Sequence, residues 1–121
     1  MKYFLDTYSL IEIAQGNPAY IELSKAQTVT LRDNVAELYY FLLRKSNEQA
    51  ADFFFDLFLK ITVDFPIQLV PKAMVFRLHH RNQRKYSYID CFAYLYALQE
   101  NIYFVTGDRA FDGLKNVKII R

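Results

Sequence analysis

The apolar positions of the chain form short continuous runs that alternate with longer stretches of helical periodicity. The short apolar runs lie at residues 3–5, 102–105 and 117–120, and a short β-branched run lies at 28–30. Each is too short to form a stable helix alone. Continuous apolar strands that alternate with helices are typical of a parallel sheet covered on both faces. The pattern therefore predicts an α/β domain with a short, mostly parallel central sheet flanked by helices.

The helical stretches are bounded by residues that commonly begin or end helices. Gly16 ends a first helix that includes residues 10–14, and a short helix follows through Tyr20 and Leu23. Longer helices are predicted at residues 32–45, 47–60, 71–85 and 87–99, where Asn, Pro and Ser suit the first positions. Residues 67–70, which lie between two prolines, are predicted to form a small strand or an extended link.

Composition narrows the class of protein. A chain of 121 residues is expected to form one domain, residues 1–121, and 53% hydrophobic content excludes intrinsic disorder. The single cysteine, Cys91, excludes an intramolecular disulfide and any site built from several cysteines. The net charge of +2 is too small to predict a nucleic-acid partner by itself. With no signal-peptide pattern and no apolar run of about 20 residues, we expect a cytoplasmic protein without a membrane span.

Four carboxylates stand out against this apolar pattern. Asp6 follows the first predicted strand, and Asp108 follows the strand at 102–105 after a short turn. Asp90 lies in the first turn of a helix, and Glu37 lies in an otherwise apolar helical run. The functional crevice of a parallel sheet lies beyond the carboxyl ends of its strands, so these acids are expected to converge there. Their mutual repulsion would favour a divalent cation, and oxygen ligands without His or Cys suit Mg²⁺ or Mn²⁺.

Each acid also has a simpler structural explanation. Asp6 is placed to cap the next helix, and Ser87 with Asp90 is close to a capping box. Asp108 is an ordinary turn residue, and Glu37 could occupy an exposed flank of its helix. These roles are compatible with a metal site, because a cap fixes the position of its carboxylate.

The order and spacing of four segments resemble the PIN-domain family of nucleases, especially the toxins of VapBC-type toxin–antitoxin pairs. The segments are FLDT at 4–7, VAELY at 35–39, SYIDC at 87–91 and FVTGDRAF at 104–111. The resemblance implies a PIN-like three-layer fold and metal-dependent cleavage of RNA phosphodiesters. One departure from the family is Cys91, which stands where a small residue such as Ala is usual.

The resemblance also implies roles for individual residues and partners. The catalytic and metal-ligating acids would be Asp6, Glu37, Asp90 and Asp108, holding one or two Mg²⁺ or Mn²⁺ ions. Around them would lie Thr7 and Thr106, near the metal, and Asp112 as a supporting or alternative acid. The implied partners are an RNA substrate, a second copy of the chain in a homodimer, and a cognate antitoxin that blocks the acidic site.

Residues 66–89 contain no acid and lead into the helix that carries Asp90. Basic side chains contact phosphates without reading sequence, so Arg81, Arg84 and Lys85 are the predicted RNA-binding residues. A solvated helix face is the alternative explanation of these charges. The adjacent residues His79 and His80 point about 100° apart on a helix, which does not favour their binding one ion.

The helix predicted at 47–60 is apolar around nearly its whole circumference. Such a helix either lies deep in the core or covers a partner, and we expect an oligomer or partner interface.

The favoured function is a Mg²⁺- or Mn²⁺-dependent endoribonuclease, and the alternative is a non-catalytic PIN-fold module that binds RNA or protein. A phospho-accepting receiver domain is excluded, because the first strand ends in Leu5-Asp6-Thr7 without an adjacent acid pair. A haloacid-type phosphatase is excluded because Tyr8 stands where a second Asp is needed.

Overall fold

A computed structural model describes residues 2–121, which contain one five-stranded sheet. Its strands are β1 (Lys2–Leu5), β2 (Gln27–Leu31), β3 (Thr62–Val63), β4 (Tyr103–Thr106) and β5 (Val117–Ile119). They lie in the order β3-β2-β1-β4-β5, and every neighbouring pair is parallel. The chain order reverses at β1, so the fold places a crevice outside the carboxyl ends of β1 and β4.

Within residues 2–121, five α-helices and three 3-10 helices connect the strands. The α-helices are α1 (Thr7–Ala14), α2 (Arg32–Lys45), α3 (Glu48–Leu59), α4 (Val70–His80) and α5 (Tyr88–Gln99). The 3-10 helices are Pro18–Lys25, Ile67–Leu69 and Arg109–Phe111. As predicted, Asn47 caps α3 by accepting from the Ala50 N–H, and Ser87 caps α5 by accepting from the Asp90 N–H.

The alternating side chains of the central strands divide the core into two layers. Phe4 and Phe104 pack with α4 and α5 on one face of the sheet. Leu5 and Val105, the next residues of the same strands, pack with α1, α2 and α3 on the other face. Both faces are therefore covered, and the predicted three-layer α/β architecture is confirmed.

Two local predictions were wrong. Residues 67–70 form a 3-10 turn and the first residue of α4 rather than a strand. Helix α4 ends at His80, five residues before the predicted end, because the following segment binds a distant loop. There the Arg84 Nε and the Tyr86 hydroxyl both donate to the Ala110 carbonyl oxygen. The two-residue strand β3 was not predicted, since two residues give no period to detect.

Helix α3 is not deep core. Ala51 and Phe58 are buried, but Phe53 is 63% exposed and Leu59 is 53% exposed. Between α2 and α3 lies a mostly apolar groove of about 790 Å³, in which the Tyr39 hydroxyl donates to Asp52. The helix therefore presents an apolar surface to solvent, as a partner interface would.

Over residues 2–121, none of the helices combines the length and the apolar character needed to cross a membrane.

Candidate active site

Asp6 lies directly after β1 and is 5% exposed. Its Oδ1 accepts a hydrogen bond of 2.9 Å from the Ser9 N–H, so it is also the N-cap of α1. Burial raises the pKa of Asp6 to about 7, although hydrogen bonds from Thr106 and Ser9 act in the opposite direction. A buried carboxyl group with so high a pKa is costly to ionise unless a cation is near it.

Glu37 reaches the same edge of the sheet from α2. The Thr7 hydroxyl donates to Glu37 Oε1 at 2.5 Å, and the Asn34 amide donates to the Thr7 oxygen at 3.0 Å. Because a hydroxyl has one proton, the donation runs from Asn34 through Thr7 to Glu37. Burial raises the pKa of Glu37, opposed by the Thr7 hydrogen bond and reinforced by the charge of Asp90.

Asn34 is a site residue that the sequence analysis missed. Its side chain is buried, and among residues 2–121 its Oδ1 atom has no hydrogen-bond partner. A buried carbonyl oxygen without a donor is suited to a water molecule or a cation. The detectable signal was its spacing, since Asn34 and Glu37 stand three positions apart on one helix face.

Asp90 occupies the third position of α5 and completes the capping box expected from the sequence. Its Oδ2 accepts from the Ser87 N–H at 3.0 Å, and the Ser87 Oγ accepts from the Asp90 N–H at 3.0 Å. Burial raises the pKa of Asp90, the bonds to Ser87 lower it, and the charge of Asp108 raises it further. The cap therefore fixes the carboxylate at the helix end that faces the other acids.

Asp108 is held in the turn after β4. Its N–H donates to the buried Thr106 Oγ1 at 3.0 Å, and its Oδ1 accepts from the Ala110 N–H at 2.9 Å. Ala110 is itself fixed, because its carbonyl oxygen accepts from Arg84 Nε at 3.0 Å and from the Tyr86 hydroxyl at 2.5 Å. The segment between α4 and α5 therefore supports the loop that carries this acid.

The four predicted acids interact electrostatically through Asp90. The negative charge of Asp90 raises the pKa of Asp6 and of Glu37, and the charge of Asp108 raises the pKa of Asp90. Each accepts a hydrogen bond from a protein donor, and Asp6 accepts from more than one. As they stand, no three Asp, Glu, His or Cys side chains within residues 2–121 are grouped tightly enough to hold one ion. The donor set of hard oxygens nevertheless fits Mg²⁺ or Mn²⁺.

The remaining predicted residues lie in different surroundings. Asp112 is exposed, and its nearest charged partner is Arg109 at 3.9 Å. Arg81 and Lys85 are exposed after the end of α4. The Arg81 Nη1 donates to the Leu78 carbonyl oxygen at 2.8 Å, and the Arg84 Nε donates to the Ala110 carbonyl oxygen. The His80 Nδ1 lies 2.8 Å from the Phe76 carbonyl oxygen and its ring packs on the Phe76 ring, which indicates a structural role.

Gly107 permits a close approach of the Asp108 turn to helix α1. A Cβ atom at Gly107 would lie 2.1 Å from the Tyr8 ring, so Gly107→Ala must displace that ring. We expect this substitution to lower the free energy of unfolding by about 1–3 kcal/mol in urea denaturation. Tyr8→Ala in the same chain is expected to relieve the clash. The explanation would be contradicted if Gly107→Ala lowered the free energy of unfolding equally in the unmodified chain and in a Tyr8→Ala chain.

An all-parallel sheet with interacting carboxyl groups at its carboxyl edge defines an α/β domain with an acidic site. The chain belongs to the PIN domain family, whose family model matches residues 3–117. A comparison with curated protein sequences gives no match.

Solved structures similar to this chain share its fold over nearly the whole length. VapC20 of Mycobacterium tuberculosis, described as a sarcin-ricin loop cleaving toxin, superposes with a TM-score of 0.82 at 18% identity, covering 98% of this chain and 99% of that one. VapBC2 of Rickettsia felis, bound to a promoter DNA fragment, gives 0.79 at 20% identity with full coverage of both chains. DNA-bound VapBC of Salmonella typhimurium gives 0.76 at 18% identity, covering 98% and 96%. These likenesses confirm the fold expected from the sequence.

Proposed function

We propose that the protein is a Mg²⁺- or Mn²⁺-dependent endoribonuclease that acts as the toxin of a toxin–antitoxin pair. The observation that carries the proposal is the electrostatic coupling of Asp6, Glu37, Asp90 and Asp108 at the carboxyl edge of a PIN-family sheet. RNA as the substrate is supported by the description of the Mycobacterium tuberculosis neighbour as a toxin that cleaves the sarcin-ricin loop.

The four acids would hold the cation through carboxylate oxygens. A divalent cation in such a site activates a water molecule and neutralises the charge that grows on the phosphate oxygens. Asn34 and Thr7 orient Glu37 through their chain of hydrogen bonds. Thr106 holds the backbone of Asp108, and Ser87 holds the carboxylate of Asp90. Such outer contacts commonly tune the ligands that they orient.

The test is cleavage of a mixed RNA pool by the purified chain in Mg²⁺, in Mn²⁺ and in EDTA. The proposal expects cleavage in at least one of the two cations and none in EDTA. RNA binding without cleavage under any cation would instead support the second candidate, a non-catalytic PIN-fold binding module. One observation favours that candidate, namely that no three acids are yet grouped tightly enough to hold an ion within residues 2–121.

Arg81 and Lys85 are proposed to contact RNA phosphates, with Arg84 contributing its terminal nitrogens. The double substitution Arg81→Glu with Lys85→Glu is expected to weaken RNA binding by roughly 10- to 100-fold at low salt and to reduce its salt dependence. Fluorescence anisotropy with a labelled single-stranded RNA measures both effects. The matched control reverses Lys2, the first residue of β1, and Lys25, the last residue of the 3-10 helix that precedes β2. Both lie toward the amino ends of these strands, away from the acids. Equal losses in the two double variants would contradict a specific role.

A cognate antitoxin is the proposed protein partner, and the apolar groove between α2 and α3 is its proposed site. The exposed side chains of α3 and the toxin–antitoxin assemblies among the structural neighbours support this assignment. A homodimer in the cytoplasm also remains part of the proposal. Sedimentation of the purified chain tests it, because a monomer has a mass of 14.4 kDa and a dimer twice that mass.

A further inference from the structure

Tyr88 is an exposed aromatic residue at the start of α5, between the cap Ser87 and the acid Asp90. Its side chain is 56% exposed. The guanidinium carbon of Arg77 lies 4.3 Å from the centre of its ring, so one face of the ring is covered by a cation. Unpaired bases stack on exposed aromatic rings, and Arg adds cation–π contacts at such sites.

The Arg77 side chain is anchored as well as stacked. It extends from α4, and its Nε donates to the Tyr86 carbonyl oxygen at 3.1 Å. The capping box of Ser87 and Asp90 fixes the backbone on which Tyr88 stands. The ring and the guanidinium are therefore pre-organised by contacts from two different helices. By contrast, the exposed Tyr40 pairs with Arg44 of its own helix at 5.4 Å.

One peptide unit connects this pair to the acidic site. The carbonyl group of Tyr86 binds Arg77, and the N–H of Ser87, which belongs to the same peptide, binds Asp90 Oδ2 at 3.0 Å. From the dimensions of a peptide, Arg77 Nε and Asp90 Oδ2 are at most about 8 Å apart. Tyr88 itself stands two positions before Asp90 in the first turn of α5, so the pair lies beside this acid. A phosphate at the acids would therefore bring a neighbouring base to Tyr88.

We propose that Tyr88, supported by Arg77, is a stacking platform for an unpaired base of the RNA next to the phosphate at the acidic site. The inference rests on the proposed function, since it takes RNA as the ligand. Stacking on a ring tolerates every base, so the platform orients the strand without reading its sequence. Tyr88 is thus a substrate-binding residue, separate from the phosphate contacts of Arg81 and Lys85.

The test combines a protein substitution with a base deletion. Binding of a labelled single-stranded RNA is measured in Mg²⁺ in an Asp6→Asn background, and RNAs with one abasic position each are compared. At one position, loss of the base is expected to weaken binding by roughly 5- to 150-fold. Tyr88→Leu should cause a similar loss with the intact RNA and abolish the effect of that abasic position. Tyr88→Phe should bind normally. So should the control Tyr103→Leu, whose residue lies at the amino end of β4, away from the acids.

The outcomes separate this inference from the proposed nuclease activity. Cleavage by the unmodified chain, together with Tyr88→Leu that binds RNA normally, would overturn the platform alone. A loss of affinity in Tyr88→Leu that is equal for intact and abasic RNA would overturn it too, because such a loss reflects a structural role. Absence of cleavage by the unmodified chain under both cations would overturn the nuclease, and the abasic comparison would still decide whether Tyr88 stacks a base.

Discussion

Asp6→Asn and Asp90→Asn are each expected to reduce RNA cleavage by about a thousandfold or more, whether Mg²⁺ or Mn²⁺ is supplied. The reason is electrostatic, because an amide cannot contribute negative charge to a site that would hold a divalent cation. Both residues are buried or half-buried and interact with each other, so water cannot make up for a lost negative charge at the site. The measurement is the rate of cleavage of one RNA under single-turnover conditions.

The same substitutions are expected to leave the fold intact. An Asn at position 6 keeps an oxygen to accept from the Ser9 N–H, and an Asn at position 90 keeps one for the Ser87 N–H. Circular dichroism and urea denaturation check this point. Asp56→Asn, on the exposed side of α3, is the matched control and should cleave normally. Cleavage at the unmodified rate by both Asp6→Asn and Asp90→Asn would remove the acids from the mechanism.

The positions of Asp6, Asp90 and Asp108 could be predicted from the sequence because they follow from local rules. A carboxylate directly after an apolar strand lies at the carboxyl edge of a parallel sheet, which places Asp6 and Asp108 together. The capping explanation of Asp90 is correct and does not compete with the site, because the cap holds the carboxylate at the crevice. Local structure and candidate chemistry therefore depend on the same residue.

The long-range contacts that orient the acids could not be predicted from local patterns, since they join segments far apart in sequence. Thr7 and Glu37 are 30 positions apart, and Tyr86 and Ala110 are 24 positions apart. No periodicity or cap signal encodes such a pair. The early end of α4 has the same origin. The hydrogen bond from Tyr86 to Ala110 holds a basic segment whose local sequence favours a helix in a non-helical conformation.

The stability of the protein in EDTA is expected to fall as the pH rises from about 4 to about 7. Asp6 has a pKa of about 7 in the folded chain and 3.8 as its ordinary value, so the folded state holds the proton more tightly. Its stabilising contribution is complete below pH 3.8 and is lost as the pH passes through 7. The loss is roughly 4 kcal/mol at most, and the raised pKa values of Glu37 and Asp90 act in the same direction.

Thermal unfolding between pH 5 and pH 8 measures this loss, with Asp6→Asn as the comparison. Because Asn does not ionise, this variant should have a flatter pH profile and, in EDTA at pH 8, a higher melting temperature than the unmodified chain. A cation that binds only the folded state should stabilise the unmodified chain most at pH 8, where Asp6 is ionised, and Asp6→Asn least. If Mn²⁺ raised both melting temperatures equally at pH 8, Asp6 would not be a ligand. A steeper pH profile for Asp6→Asn would show that the carboxyl group is not the source of the pH dependence.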